Sequence, residues 1–126
     1  MSFLDIFQDW KDVETRPAGT TIFSETGKAD VLYVILAGDV EISLHGQVLS
    51  TETKDSIIGE MAVIASASGS QTVTAISEVK LARLDREQFN HLIATDPSFA
   101  HYALAAMANR LRVVNAFISA QLEFGE

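Results

Sequence analysis

The chain has 126 residues, 48% of them hydrophobic, and a formal net charge of −8; this is enough apolar material for one domain with a real core and too much for a disordered segment. It has no cysteine, which excludes disulfides and thiolate metal sites. Seventeen acidic residues stand against nine basic ones, and eleven of the acids fall in residues 1–60; a field of that sign repels a phosphate backbone and argues against nucleic-acid binding by this domain.

At the N-terminus, Phe3, Ile6, Phe7 and Trp10 fall at helical spacing behind Ser2, which suits a cap. The expectation is a short helix whose apolar face packs on the core. There is no basic face to meet lipid headgroups, no basic region ahead of an apolar one as in a signal peptide, and no apolar run near the roughly 18 residues of a membrane span. The reading is a cytoplasmic protein with no membrane partner.

From Val13 to about Arg83 the pattern changes to short strands, punctuated by Gly19, Gly27, Gly38, Gly46 and Gly59. Predicted strands are Thr20–Phe23, Val31–Leu36, Val40–Leu44, Gln47–Ser50, Thr72–Ile76 and Glu78–Leu84. Val40, Ile42 and Leu44 alternate with Glu41 and Ser43, the period of a half-buried strand. Gly38-Asp39 and His45-Gly46-Gln47 are hairpin signals. Many short strands at this spacing indicate a β-sandwich or jelly roll.

After Leu84 the period returns to that of a helix. Asp85 can cap Arg86–Ile93, with Gln88 at the capping-box position. Thr95-Asp96-Pro97 breaks the chain, and Pro97 suits a first helical turn. From Pro97 to about Leu122 neither glycine nor proline occurs, which predicts one long helix. Leu104, Ala108, Leu111, Asn115, Ile118 and Leu122 alternate at spacings of four and three, a heptad seam. That seam fits either a dimer interface or a helix folded back on its own domain. The chain thus reads as a single domain over 1–126: about eight strands, a short N-terminal helix and two C-terminal helices.

The chemistry concentrates in Ile57-Ile58-Gly59-Glu60-Met61-Ala62 and, about ten residues on, Gly69-Ser70-Gln71-Thr72. A glycine opening a short helical turn, with a carboxylate behind it, makes an anion cradle from outward N–H groups and the positive helix start. Glu60 serves equally as a local cap for that turn. The serine-rich loop Ala65–Ser70 reads either as a solvated loop or as a wrap for a small anion. His45, His91 and His101 match no metal motif, and no nucleophile, acid and base set stands at recognised spacing, so no metal, no cofactor and no catalysis are expected.

Gly59-Glu60-Met61-Ala62 followed by Thr72-Val73-Thr74-Ala75 resembles the phosphate-binding cassette of cyclic-nucleotide-binding domains, whose pattern is Gly-Glu-x-Ala-x, a short loop and Arg-x-Ala-Thr-Val. With Gly19, Gly27, Gly38 and the Phe89…Pro97 segment, the resemblance covers nearly the whole chain. It implies a jelly roll (a double-stranded β-helix) with a short cassette helix and flanking helices. It also implies a regulatory role, and a small anionic or nucleotide-like ligand held at Gly59, Glu60, Met61, Ala62, Gly69, Ser70, Gln71 and Thr72. By the same resemblance Glu60 would accept the ribose 2′-hydroxyl, Met61 and Ala62 would turn their backbone to the phosphate, and the last helix would pair with its mate in a parallel homodimer. The family's arginine, however, is missing: its place falls on Gly69. Asp55 stands where the family often has glycine, and Lys54 and Lys80 are not placed by the motif to compensate. Each charge-assisted bond to phosphate contributes about 1.5–3 kcal/mol, so loss of a bidentate arginine lowers affinity by about two to four orders of magnitude. The expectation is weak or absent binding of cyclic AMP and cyclic GMP. Two other roles stay open: an interaction module with a vestigial pocket, and the sensor part of a transcription regulator without its DNA-binding domain.

Overall fold

The computed structural model of the chain describes residues 7, 9–23, 31–44, 46–59 and 72–124. Eight strands lie among them: β1 (Val13–Arg16), β2 (Thr21–Phe23), β3 (Val31–Ala37), β4 (Val40–Leu44), β5 (Gln47–Glu52), β6 (Ile57–Ile58), β7 (Thr72–Ala75) and β8 (Val79–Asp85); α1 (Arg86–Thr95) and α2 (Pro97–Phe124) follow. The strands form two antiparallel four-stranded sheets, ordered β1-β8-β3-β6 and β2-β7-β4-β5. This is the jelly roll expected from the strand spacing.

The first sheet lies between the second sheet and the helices, and that position explains the residues of β3. Leu32 and Val34 join Ala82, Leu84, Phe89, Leu92 and Phe99 in the cluster beneath the helices. Tyr33 and Ile35, on the opposite face, join Val40, Ile42, Val73, Val79 and Leu81 between the sheets. A strand buried on both faces reads as a continuous apolar run rather than an alternating one, as Val31–Leu36 does.

Turn chemistry sets the strand pairing. Gly38 has φ +89° between β3 and β4, and Gly46 has φ +81° between β4 and β5; only glycine adopts this backbone without strain. A Cβ at Gly38 would run into the Glu78 carbonyl and approach Val79 Cγ1 to 2.8 Å. In contrast, nothing lies within 4 Å of a Cβ at Gly46.

Asp85 caps α1 as its spacing predicts. Its carboxylate accepts from Gln88 N–H at 2.7 Å, and Gln88 Oε1 accepts from Asp85 N–H at 2.8 Å. The α1–α2 junction is capped in turn by Asp96, whose Oδ1 accepts from Phe99 N–H at 3.1 Å. Phe99 is fully buried and meets Phe7, Phe89 and Tyr102 ring to ring, with centroids at 6.2, 5.9 and 6.2 Å. That aromatic cluster fastens the start of α2 to the barrel.

Some boundaries differ from the sequence reading. β5 runs on to Glu52, α1 to Thr95 and α2 to Phe124. β1 and β6 are short edge strands that the glycine spacing does not single out. The proposed N-terminal helix and the cassette helix fall mostly or wholly outside the described residues, Phe7 and Trp10 apart. Those two pack against the core with ring centroids 5.1 Å apart, and Trp10 Nε1 donates to the Arg83 carbonyl at 2.8 Å.

Candidate functional site

Of the eight residues expected to hold a ligand, Gly59 and Thr72 lie among the described residues; Glu60, Met61, Ala62, Gly69, Ser70 and Gln71 lie outside them. Gly59 directly follows β6 with φ +84°, the left-handed backbone that suits a glycine-initiated turn. Just before it, Ile57 and Ile58 are buried and paired with Val34 and Tyr33 of β3, which fixes the takeoff point on the first sheet. Thr72 opens β7 on the facing sheet, half-buried and in register with Ser43 of β4. The two ends of the cassette are therefore pinned on opposite walls of the barrel.

Lys54 and Lys80 are both exposed, on the β5–β6 turn and on β8. A different set of charges lies in register with Ile58 of β6. Tyr33 is the partner of Ile58 on one side and of Arg83 on the other, which puts Arg83 two strand spacings, about 10 Å, from β6. Tyr33 is buried, and its phenol is held above the ordinary value of 10.0, first by burial and then by a hydrogen bond to the Glu14 carboxylate; Arg16 and Arg83 oppose that shift. Arg16 Nη2 also pairs with Glu14 at 3.1 Å. Glu14 and Arg16 are neighbours on one face of β1, but Tyr33 and Arg83 are too far off in sequence for any local pattern to join them; only the register of β1, β8 and β3 does so.

The heptad residues of α2 form a surface stripe where they are described. Leu104, Leu111 and Ile118 are 67%, 62% and 49% exposed, and Ala108 and Asn115 are exposed between them. Leu122 belongs to the helix, but its side chain lies outside the described residues. Phe99 and Ala103 are buried in the core cluster, with Tyr102, Ala106 and Met107 packed against it. The first half of α2 thus uses a different face to dock on its own domain, and the heptad stripe is left uncovered by any described residue.

Comparison with known proteins agrees with this architecture. The family model described as "Cyclic nucleotide-binding domain" matches residues 13–96. The chain is 29% identical over 104 residues to a CRP-like cAMP-activated global transcriptional regulator of Mycobacterium tuberculosis, covering 79% of this chain and 46% of that protein. It is 33% identical over 88 residues to a cAMP-dependent protein kinase regulatory subunit of Aspergillus fumigatus, covering 68% of this chain and 21% of that one. It thus spans less than half the length of either relative. The crystal structure of Thermus thermophilus catabolite activator protein superposes with a TM-score of 0.77 at 24% identity, over 93% of this chain and 57% of that chain, a likeness of fold.

Proposed function

This chain belongs to the cyclic nucleotide-binding domain family, and from that premise we propose that it is a non-catalytic, cytoplasmic sensor module whose affinity for cyclic AMP and cyclic GMP is weak or lost. One observation carries the proposal: Gly69 stands where the family's cassette has its phosphate-binding arginine. The anchored Gly59 turn supports a retained ligand cradle, while the lost guanidinium removes the strongest contact to a cyclic phosphate. Glu60, Met61, Ala62, Ser70, Gln71 and Thr72 then hold a small anionic or nucleotide-like molecule through hydroxyl, amide and backbone groups. Binding would act by favouring one position of α2 against the barrel, which requires the ligand to prefer that position.

Restoring the cation tests this directly. Gly69→Arg is expected to tighten cyclic AMP binding by about two to four orders of magnitude, measured by calorimetry on both chains. A variant that binds cyclic AMP no better than the parent contradicts the proposal.

A second reading, supported by the exposed stripe of Leu104, Leu111 and Ile118, is that α2 pairs with a second copy. Asn115 at an a-like position would set the register. Sedimentation at micromolar concentration is expected to give a dimer, and a single 13.7 kDa species contradicts it.

A further inference from the structure

The first half of α2 is held unevenly along its length. At its start, Asp96 Oδ1 accepts from Phe99 N–H at 3.1 Å, and the buried Phe99 ring meets Phe7, Phe89 and Tyr102. Further along, the residues that reach the barrel are mostly small. Ala103 is buried, and Ala106 and Met107 pack against the cluster that holds Ile57 of β6. Apolar stabilisation scales with the area buried, so alanines hold this part of the helix less firmly than an aromatic ring holds its start.

The β5–β6 turn that faces this part of α2 is loosely packed against it. A half-open cleft of about 260 Å³ separates Glu52, Asp55, Ser56 and Ile57 from Tyr102, Ala105, Ala106 and Asn109. Side chains across such a gap forgo the dispersion contacts of a close-packed interior.

Within the turn, one residue carries two unfavourable features. Asp55 has φ +82°, the only described residue other than glycine in the left-handed region. Its Oδ1 is buried with no hydrogen-bond partner among the described residues. The surrounding bonds hold it there: Asp55 N–H donates to the Ile35 carbonyl, and Ile35 N–H donates to the Ser56 carbonyl, each at 2.9 Å. A residue kept in a sparsely populated conformation by its neighbours stores strain, and a buried acceptor without a donor carries its full desolvation cost. Glycine at this position would carry neither.

We propose that Asp55 is a release point for α2. Lifting the helix admits water to Oδ1, and that hydration offsets part of the packing lost at Ala103, Ala106 and Met107. The first half of α2 then leaves and regains the barrel about its fastened start at Phe99, without the domain unfolding. Asp55 stands four residues before Gly59, joined to it through the two-residue β6, so the seat of the helix and the start of the cassette share one short segment. The proposal deepens, and rests on, the reading that a ligand acts by shifting α2.

The chain has no cysteine, so a single introduced thiol reports the opening. Ala103→Cys places one under α2, and Ala75→Cys places one between the sheets; both positions are 1% exposed. Labelling the full, unliganded chain with an aromatic disulfide reagent is expected to proceed about tenfold or more faster at 103 than at 75, because the helix opens locally. Adding Asp55→Gly is expected to slow labelling at 103 about tenfold. Asp55→Asn keeps a residue that tolerates the left-handed backbone and replaces the carboxylate by a neutral amide; it is expected to slow labelling at 103 by a smaller factor. Equal labelling rates at 103 and 75 overturn the proposal, and so does an unchanged rate at 103 in either Asp55 variant. No nucleotide enters the assay, so this result and the cyclic AMP titration fail or succeed separately.

Discussion

Gly38 and Gly46 occupy the same kind of backbone for different reasons, and substitution separates them. Alanine at Gly46 meets open space and suffers only the left-handed penalty of about 1 kcal/mol. Alanine at Gly38 adds a collision with the Glu78 carbonyl and Val79, for a total of about 3 kcal/mol. Urea unfolding of the two variants is expected to show that order. Tyr33 gives a prediction in pH. Burial, then the Glu14 hydrogen bond, raises its phenol above 10.0 in the folded state. The unfolded chain therefore loses that proton first as pH rises, so this contribution to stability is whole below pH 10 and declines above it. Tyr33→Phe is expected to flatten the decline, measured as unfolding midpoints on either side of pH 10. At this scale the sequence shows the hairpin glycines plainly. It does not show the Glu14, Arg16, Tyr33 and Arg83 grouping, because that proximity comes from the pairing of β1, β8 and β3.

Elements with a local signature were legible. The Asp85 and Gln88 spacing identified the start of α1 because both halves of the capping box lie within four residues. Asp85→Ala is expected to cost about 1 kcal/mol, read from the chemical denaturation midpoint. β1 and β6 carry no such signature: four and two residues long, they exist because β8 and β3 offer edges to pair with. The heptad on α2 was legible as a pattern, but the face that docks on the barrel became visible only with Phe99 and Ala103 in the core. Leu111→Asp follows from that division. Leu111 is 62% exposed, so the change is expected to leave monomer stability within about 0.5 kcal/mol while shifting the sedimenting species from dimer to monomer. A dimer that survives the substitution contradicts pairing through this stripe.

At the scale of the whole molecule, two sheets and a helical layer enclose two core clusters, one on each face of the first sheet. The alternation of β4 was legible as a half-buried strand, while the burial of β3 on both faces became visible only with the two clusters in place. Of the candidate site, the sequence carries the motif and the glycine at position 69, and the structure describes Gly59, with φ +84°, and Thr72, the residues between them lying outside the described ones. Sequence alone does not say which side chains from distant strands face the cradle. Arg83, two strand spacings from β6, has its charge near Tyr33, within the group that Glu14 and Arg16 complete. The central claim is that no cation replaces the lost one. Calorimetric titration of cyclic AMP into the unmodified chain tests it most directly. The account predicts no saturable heat below about 1 mM; a dissociation constant under about 10 µM contradicts it.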